Sequence, residues 1–348
     1  MILCDKNIIL PSSLPFGFNE ITFIDGRTLT NQDLIDAKCT ALFVRSVTKI
    51  NEPLLKSSNV CFVGTATAGI DHIDVKYLND HSIAFASASG SNAVAVTEYV
   101  YFALLSYSHT YHISLRNKVL GIFGLGQVGK RVAKIAETLG MKIIASDPFL
   151  EESGIMYQNI EWRKKREILQ QADIISIHTP LTYQGAYPTA NMFSTDEFDI
   201  MSASLLIQTS RGGIIEETAL LKKLQTSHLL LAIDVWEEEP LWNAHIAQHS
   251  STYMATPHIA GYTKTARERG GEMIVEAYAR YKGLHISEHI KKQNDIDDKD
   301  VYNTLQLHRF AEKKRIALKH HDVDSIYFDE CRQQCLQDIE TIKDPLLW

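Results

Sequence analysis

The sequence predicts an α/β protein of two domains, each built on a parallel sheet with crossover helices. Three observations carry that prediction. Short apolar runs alternate with helical stretches over most of the chain. One long helical segment without Gly or Pro separates two such series. The 348 residues correspond to two domains at roughly 150 residues each.

The first series has candidate strands at Ile2–Cys4, Ile21–Ile24, Ala41–Val44, Val60–Gly64 and Ile83–Ala86, with a helix at Asn31–Ala37 whose Asn and Asp residues suit a first turn. In Ala93–Ser108 the apolar residues Val96, Val100, Ala103 and Leu104 fall at helical spacing, so this segment reads as a connector between domains. The second series opens with strand Val119–Phe123. A Gly-rich turn, a helix over about 128–139 and strand Lys142–Ser146 follow. Further apolar runs stand at Ile174–Ile177, Leu205–Thr209 and Leu229–Val235, with a helix at Glu216–Leu224. Roughly six parallel strands are expected here, as in a dinucleotide-binding sheet. From about Lys291 the composition shifts to Lys, Asp, Gln, His and Arg without strand signals, and this tail reads as a few amphipathic helices used in assembly.

Composition is ordinary for a globular chain, with 45% hydrophobic and 22% charged residues. Thirty-five Lys and Arg against 42 Asp and Glu leave a net charge of −7, which argues against nucleic-acid or anionic-membrane partners. The longest apolar stretch is interrupted at Thr97 and Glu98, short of a spanning helix. Residues 1–5 lack the basic start and apolar run of a signal peptide. Five scattered cysteines (Cys4, Cys39, Cys61, Cys331, Cys335) read as reduced thiols. The expectation is a cytoplasmic protein without a metal site.

Gly124-Leu125-Gly126-Gln127-Val128-Gly129 is a G-x-G-x-x-G placed between a predicted strand and a helix bearing Val128, Val132 and Ile135 on one face. Gly124 permits the tight turn, Gly126 lets the backbone approach a pyrophosphate, and Gly129 lets the helix pack closely on the strand. The N–H groups and dipole of that helix end then face the diphosphate. Asp147 stands at the end of the next strand, where its carboxylate can accept ribose hydroxyls and repel a 2′-phosphate. NAD is the expected cofactor.

Three polar groups follow later strands of the same series. Arg211 lies in Thr209-Ser210-Arg211-Gly212-Gly213, a glutamate run follows Asp234-Val235-Trp236, and His258 lies in Ala255-Thr256-Pro257-His258. A guanidinium can hold a substrate carboxylate with two parallel hydrogen bonds. An imidazole can take a hydroxyl proton as hydride leaves for a nicotinamide. A carboxylate behind the imidazole would fix its tautomer, and Glu237, Glu238 and Glu239 are all candidates. Together they suit oxidation of a 2-hydroxy acid, while the cofactor carries the redox chemistry.

These segments, with His178-Thr179-Pro180-Leu181, Glu239-Pro240 and Pro257-His258-Ile259, resemble the D-isomer-specific 2-hydroxyacid dehydrogenases over about residues 40–265. The resemblance implies two Rossmann-like domains: a split catalytic domain (1–92 and a return segment 261–290) and an inserted NAD-binding domain (93–260). A shortened helical C-terminal region (291–348), with a role in dimerisation, would complete the chain as a homodimer. Within the family, Val44-Arg45-Ser46-Val47-Thr48-Lys49-Ile50-Asn51, the run from Phe62 to His72, and His258-Ile259-Ala260-Gly261-Tyr262-Thr263 resemble members that oxidise 4-phospho-D-erythronate on the route to pyridoxal phosphate. Carried over, the resemblance makes Arg211 and Glu239 active-site residues and His258 the proton-transfer residue. It gives substrate contacts to Ser46, Thr67 and Tyr262, and NAD contacts to Gln127, Val128, Asp147, Thr179, Asp234 and Gly261 and to the backbone of Thr209, Ser210 and Arg211. The Glu-Glu-Glu-Pro run replaces the family's Glu-Gly-Glu-Pro, so Glu239 takes its role from its place before Pro240. A phosphorylated acid needs a second anion site. The hydroxyls of Ser46 and Thr67, N–H groups of the 64–69 loop, and Arg45 or Lys49 could form it; Arg45 could equally serve in an ion pair. Another 2-hydroxy acid such as 3-phosphoglycerate or glycerate is the nearest alternative substrate, and an NAD(H)-sensing scaffold the alternative from another class.

Overall fold

A computed structural model describes residues 1–15, 18 and 20–284. The predicted helical tail 291–348 and residues 285–290 of the return segment lie outside the described residues. Two units are distinguished among the described residues, one of residues up to 92 with 264–284, the other of residues 93–263.

In the first unit, β1 (Ile2–Asp5), β2 (Ile21–Ile24), β3 (Ala41–Val44), β4 (Phe62–Thr65) and β5 (Ala84–Ser87) form a parallel sheet in the order β2-β1-β3-β4-β5. Its central strands are buried on both faces, which is why they read as continuous apolar runs rather than alternating ones. Leu3, Leu42, Val44 and Val63 share one core with Leu34 and Leu78. The alternate residues Ile2, Cys4, Phe43 and Phe62 pack with Ile274 and Tyr278 of helix Lys264–Tyr281. Close approach of that helix depends on Gly270 and Gly271, where a Cβ would lie 2.5 Å from the Ala66 carbonyl oxygen and 1.9 Å from that of Ile9. Helix Asn31–Asp36 starts at a capping box, with Thr30 and Asp33 satisfying each other's N–H groups.

The second unit opens with helix Ala93–Tyr111, three residues longer than its sequence prediction. Its sheet comprises β6 (Val119–Phe123), β7 (Lys142–Ser146), β8 (Ile160–Trp162), β9 (Ile174–Ile177), β10 (Leu205–Gln208), β11 (Leu230–Ile233) and β12 (Thr252–Ala255), in the order β12-β11-β10-β9-β6-β7-β8. The order reverses between β6 and β9, the switch point beside which ligands bind in doubly wound folds. Every pairing is parallel. Seven strands stand where about six were expected; five of them match the runs named from sequence, and β8 and β12 are the two that were not named. The first is a three-residue edge strand carrying Glu161, and the second is a four-residue run after a Ser-rich turn, so neither offers a long apolar signature. Among the described residues no helix is long and apolar enough to cross a membrane.

Candidate functional site

The carboxyl ends of β6, β7, β9, β10, β11 and β12 carry the candidate residues of the second unit. At the end of β6 the chain turns through Gly124 at φ +86°, where a Cβ would sit 2.8 Å from the His178 carbonyl oxygen. A side chain there would be strained by backbone and neighbour alike. At Gly129 a Cβ would lie 2.0 Å from the Gly124 carbonyl oxygen, so only glycine lets helix Gln127–Thr138 begin against this turn. Gly126 is the opposite case. It is the helix N-cap, no side chain caps the helix, and a Cβ there would meet nothing within 4 Å. The helix end presents its first N–H groups beside open space, as a diphosphate requires.

Asp147 follows β7 and N-caps helix Pro148–Glu152. Its carboxylate accepts from Leu125 N at 2.9 Å and from Leu150 N at 3.3 Å, which fastens the glycine turn to the end of β7. Across the turn, β9 ends at His178 and Thr179. Burial pushes the His178 imidazole down to about 3. Its Nε2 pairs with Ser176 Oγ at 2.9 Å, and its Nδ1 is buried without a hydrogen-bond partner. Thr179 Oγ1 and Thr209 Oγ1 are likewise buried and unpartnered. Two unused hydroxyls, an uncapped helix N-terminus and a carboxylate at the strand end are a donor and acceptor set that NAD fits. Gln127, Val128 and Gly129 stand in the first turn of that helix, where they would meet its phosphates.

Arg211 leaves β10 on a loop held by Gln208, a residue the sequence reading did not single out. Buried Gln208 donates from Nε2 to Arg211 O at 2.9 Å and accepts from Ser210 Oγ at 2.9 Å. Arg211 Nη1 donates to Ser210 O at 2.7 Å. Gly212 then passes against the loop after β11, where a Cβ would lie 1.8 Å from the Trp236 carbonyl oxygen. The Arg211 loop and the loop carrying the glutamates are therefore in backbone contact.

Of the three glutamates, Glu239 is the one paired with the imidazole. Its Oε1 accepts from Trp236 N at 3.0 Å and its Oε2 from His258 Nδ1 at 2.7 Å. An ionised carboxylate only accepts, so Nδ1 carries a proton, and in the neutral imidazole Nε2 keeps its lone pair. His258 itself adopts φ +53°, a conformation that persists only where its surroundings impose it. Here Asp234, 0% exposed, does so. Its backbone carbonyl accepts from His258 N at 2.7 Å, and its carboxylate accepts from Ile259 N, Ala260 N and Thr256 Oγ1 at 2.7, 2.9 and 2.6 Å. Burial raises the Asp234 carboxyl to about 6, against the downward pull of His258 and these hydrogen bonds. Thr256 is held in turn by Tyr99 OH at 2.5 Å and by Trp236 Nε1, which donates to its carbonyl at 3.0 Å. Gly261 and Tyr262 follow directly, with Tyr262 N donating to Ile259 O at 2.9 Å.

Ser46 and Thr67 belong to the first unit. Ser46 is exposed in the loop after β3; Thr67 is half-buried in the loop after β4. Arg45 is in an ion pair, its Nε 3.0 Å from Oδ1 of buried Asp5.

Residues 93–260 match the family described as D-isomer specific 2-hydroxyacid dehydrogenase, NAD binding domain. Erythronate-4-phosphate dehydrogenase of Acinetobacter baylyi is 35% identical over 347 residues, covering 96% of this chain and 95% of that protein. The protein of the same name from Proteus mirabilis is 39% identical over 284 residues, covering 81% of this chain and 74% of its own length. Among solved structures, NAD+-bound 3-phosphoglycerate dehydrogenase of Entamoeba histolytica superposes with a TM-score of 0.65 at 24% identity, covering 81% of this chain and 95% of that one. That likeness establishes the fold.

Proposed function

The chain belongs to the D-isomer-specific 2-hydroxyacid dehydrogenases and, within them, to the erythronate-4-phosphate dehydrogenases, and on that premise we propose that it oxidises 4-phospho-D-erythronate to 3-hydroxy-2-oxo-4-phosphooxybutanoate with NAD, in pyridoxal phosphate biosynthesis. The observation that carries the chemistry is the Trp236–Glu239–His258 arrangement, which in the neutral imidazole leaves Nε2 as the acceptor, on a loop whose Trp236 backbone meets that of Gly212 next to Arg211. Arg211 holds the substrate carboxylate, and His258 Nε2 takes the C2 hydroxyl proton. Glu239 keeps the tautomer and steadies the charge that forms on the imidazole. NAD, held by the Gly124–Gly129 turn, Asp147, Thr179, Asp234, Gly261 and the Thr209–Ser210 backbone, supplies the hydride acceptor when bound. Ser46, Thr67 and Tyr262 contact the substrate.

Residues 1–92 with 261–290 form the substrate-binding domain in this reading, 93–260 bind NAD, and 291–348 serve dimerisation. The enzyme works as a homodimer in the cytoplasm; light scattering on the full chain tests the former and cell fractionation the latter. The substrate is tested by initial rates with 4-phosphoerythronate, 3-phosphoglycerate and glycerate side by side. Turnover of 4-phosphoerythronate no better than the other two would sink the assignment. His258→Asn should lose about 10²–10⁴-fold in turnover while still binding NAD.

A further inference from the structure

In the first unit, β4 delivers Thr65 and Thr67 to a loop that returns at once to the sheet. Ala66 N donates to Val44 O at 2.9 Å, and Ile50 N donates to His72 O at 2.8 Å, so both ends of the loop are pinned by backbone. Three hydrogen bonds then run through side chains. Thr67 Oγ1 donates to Gly69 O at 3.2 Å, Thr65 Oγ1 lies 2.8 Å from Thr67 Oγ1, and His72 Nε2 lies 3.0 Å from Thr65 Oγ1. A hydroxyl has one proton and two lone pairs, and that count orients the whole chain. A carbonyl only accepts, so the Thr67 proton is committed to Gly69. Thr65, buried at 0% exposure, must therefore give its proton to Thr67. With that proton spent, Thr65 can only accept from His72, which carries hydrogen on Nε2.

Thr65 keeps one further lone pair, shut off by its burial, so the capacity open to a ligand is the one lone pair on half-buried Thr67 Oγ1. A group meeting it there must bring a proton, which ionised carboxylate and phosphate oxygens do not. We propose that Thr67 reads the C3 hydroxyl of the substrate rather than its phosphate, and that His72 and Thr65 are positioning residues that hold Thr67 as an acceptor. This rests on the reading that Thr67 meets a phosphorylated 2-hydroxy acid. 4-Phosphoerythronate has two hydroxyls: the one on C2 gives its proton to His258, and the one on C3 is the remaining donor. 3-Phosphoglycerate has no such second hydroxyl, and neither does 2-hydroxy-4-phosphobutanoate, the 3-deoxy analogue. A protein acceptor built for a hydroxyl is left unpaired by a substrate that lacks it, which makes this chain of groups a determinant of specificity.

The test compares kcat/KM for 4-phosphoerythronate and its 3-deoxy analogue across variants of the full-length enzyme. The wild type should prefer the hydroxylated substrate by about ten- to a hundredfold. Thr67→Val, Thr65→Val and His72→Leu should each remove most of that preference by raising KM for 4-phosphoerythronate, with NAD affinity unchanged. Thr65→Ser and His72→Gln, which keep a hydroxyl and a donor, should restore it. That rescue would not follow if the residues were merely filling space. Full preference in both Thr65→Val and His72→Leu, with Thr67→Val still impaired, overturns the positioning role but not the contact at Thr67. Equal weakening of both substrates by Thr67→Val overturns the hydroxyl assignment in favour of the phosphate. No effect of Thr67→Val on either substrate overturns the proposal at its root, and a wild type inactive on 4-phosphoerythronate overturns the functional reading beneath it.

Discussion

Replacing Gly212 with alanine tests how tightly the Arg211 loop is coupled to the loop of Glu239. The added Cβ would stand 1.8 Å from the Trp236 carbonyl oxygen, 2.3 Å from its carbon and 2.8 Å from Glu237 N. All three are backbone atoms, so no rotamer change relieves the contact. Ordinary contact with a Cβ begins at 3.4 Å, and the two loops would have to part by about 1.5 Å. Neither can yield alone. Gln208 grips Ser210 and Arg211 on one side, while Trp236 is tied to Glu239 and Thr256 on the other. A misplacement of about 1 Å in a catalytic group can cost 10²-fold, so kcat/KM for 4-phosphoerythronate should fall by about that factor, with overpacking taking about 1–3 kcal/mol of stability. Binding of NADH, followed by quenching of tryptophan fluorescence, should weaken far less than turnover, because the Gly124–Gly129 turn is untouched and only the proposed contacts of the Thr209–Ser210 backbone are disturbed. Gly213→Ala is the control. It carries φ +77°, and its Cβ would meet only the Leu181 methyl groups at 3.7 and 3.8 Å. It should therefore lose about 1–2 kcal/mol to left-handed backbone strain but little activity. A folded Gly212→Ala enzyme with wild-type kcat/KM would refute the coupling.

Glu239→Gln places an amide where a carboxylate accepts from both Trp236 N and His258 Nδ1, and its NH2 group favours the wrong imidazole tautomer; stopped-flow turnover should drop by about 10²–10⁴-fold with little change in NADH binding. Asp147→Asn removes the charge proposed to face the adenosine ribose while its amide oxygen can still cap Leu150, so the NAD dissociation constant should rise about tenfold or more and discrimination against NADP should narrow, measured by paired titrations. His178 is held neutral in the folded state, down to about 3, whereas the unfolded imidazole accepts a proton near pH 6.5. Its contribution to stability is therefore complete above about 6.5 and lost as pH falls toward 3, by up to about 1.4 kcal/mol per pH unit. Asp234, raised to about 6, acts in the opposite sense, its contribution being lost as pH rises through that value. Urea midpoints of His178→Gln and wild type at pH 7 and 5.5 isolate the first effect: the wild type should lose more stability than the variant, and equal losses would show that the buried imidazole is not responsible.

Much of the site was legible because its local chemistry is written in short segments. A glycine hexapeptide between strand and helix, an acid at the next strand end, and Arg211 and His258 after later strands all follow from turn geometry and strand alternation. What was not legible depends on contacts between distant segments. Three adjacent glutamates are equivalent in sequence, and only the fold brings Trp236 N and His258 Nδ1 to the same carboxylate, that of Glu239. Gln208 looks like a strand-end polar residue until burial obliges it to satisfy Ser210 and Arg211.

Sequence by itself determined the parallel-sheet architecture, the cofactor turn and the types of catalytic group, since periodicity, glycine placement and side-chain chemistry are properties of neighbouring residues. Tertiary structure decided which groups face each other and which way their protons point. Asp234 becomes the anchor of the His258 turn, and the Thr67 hydroxyl proton goes to Gly69 O, because a buried hydrogen-bonding group must be satisfied by whatever partner the fold supplies.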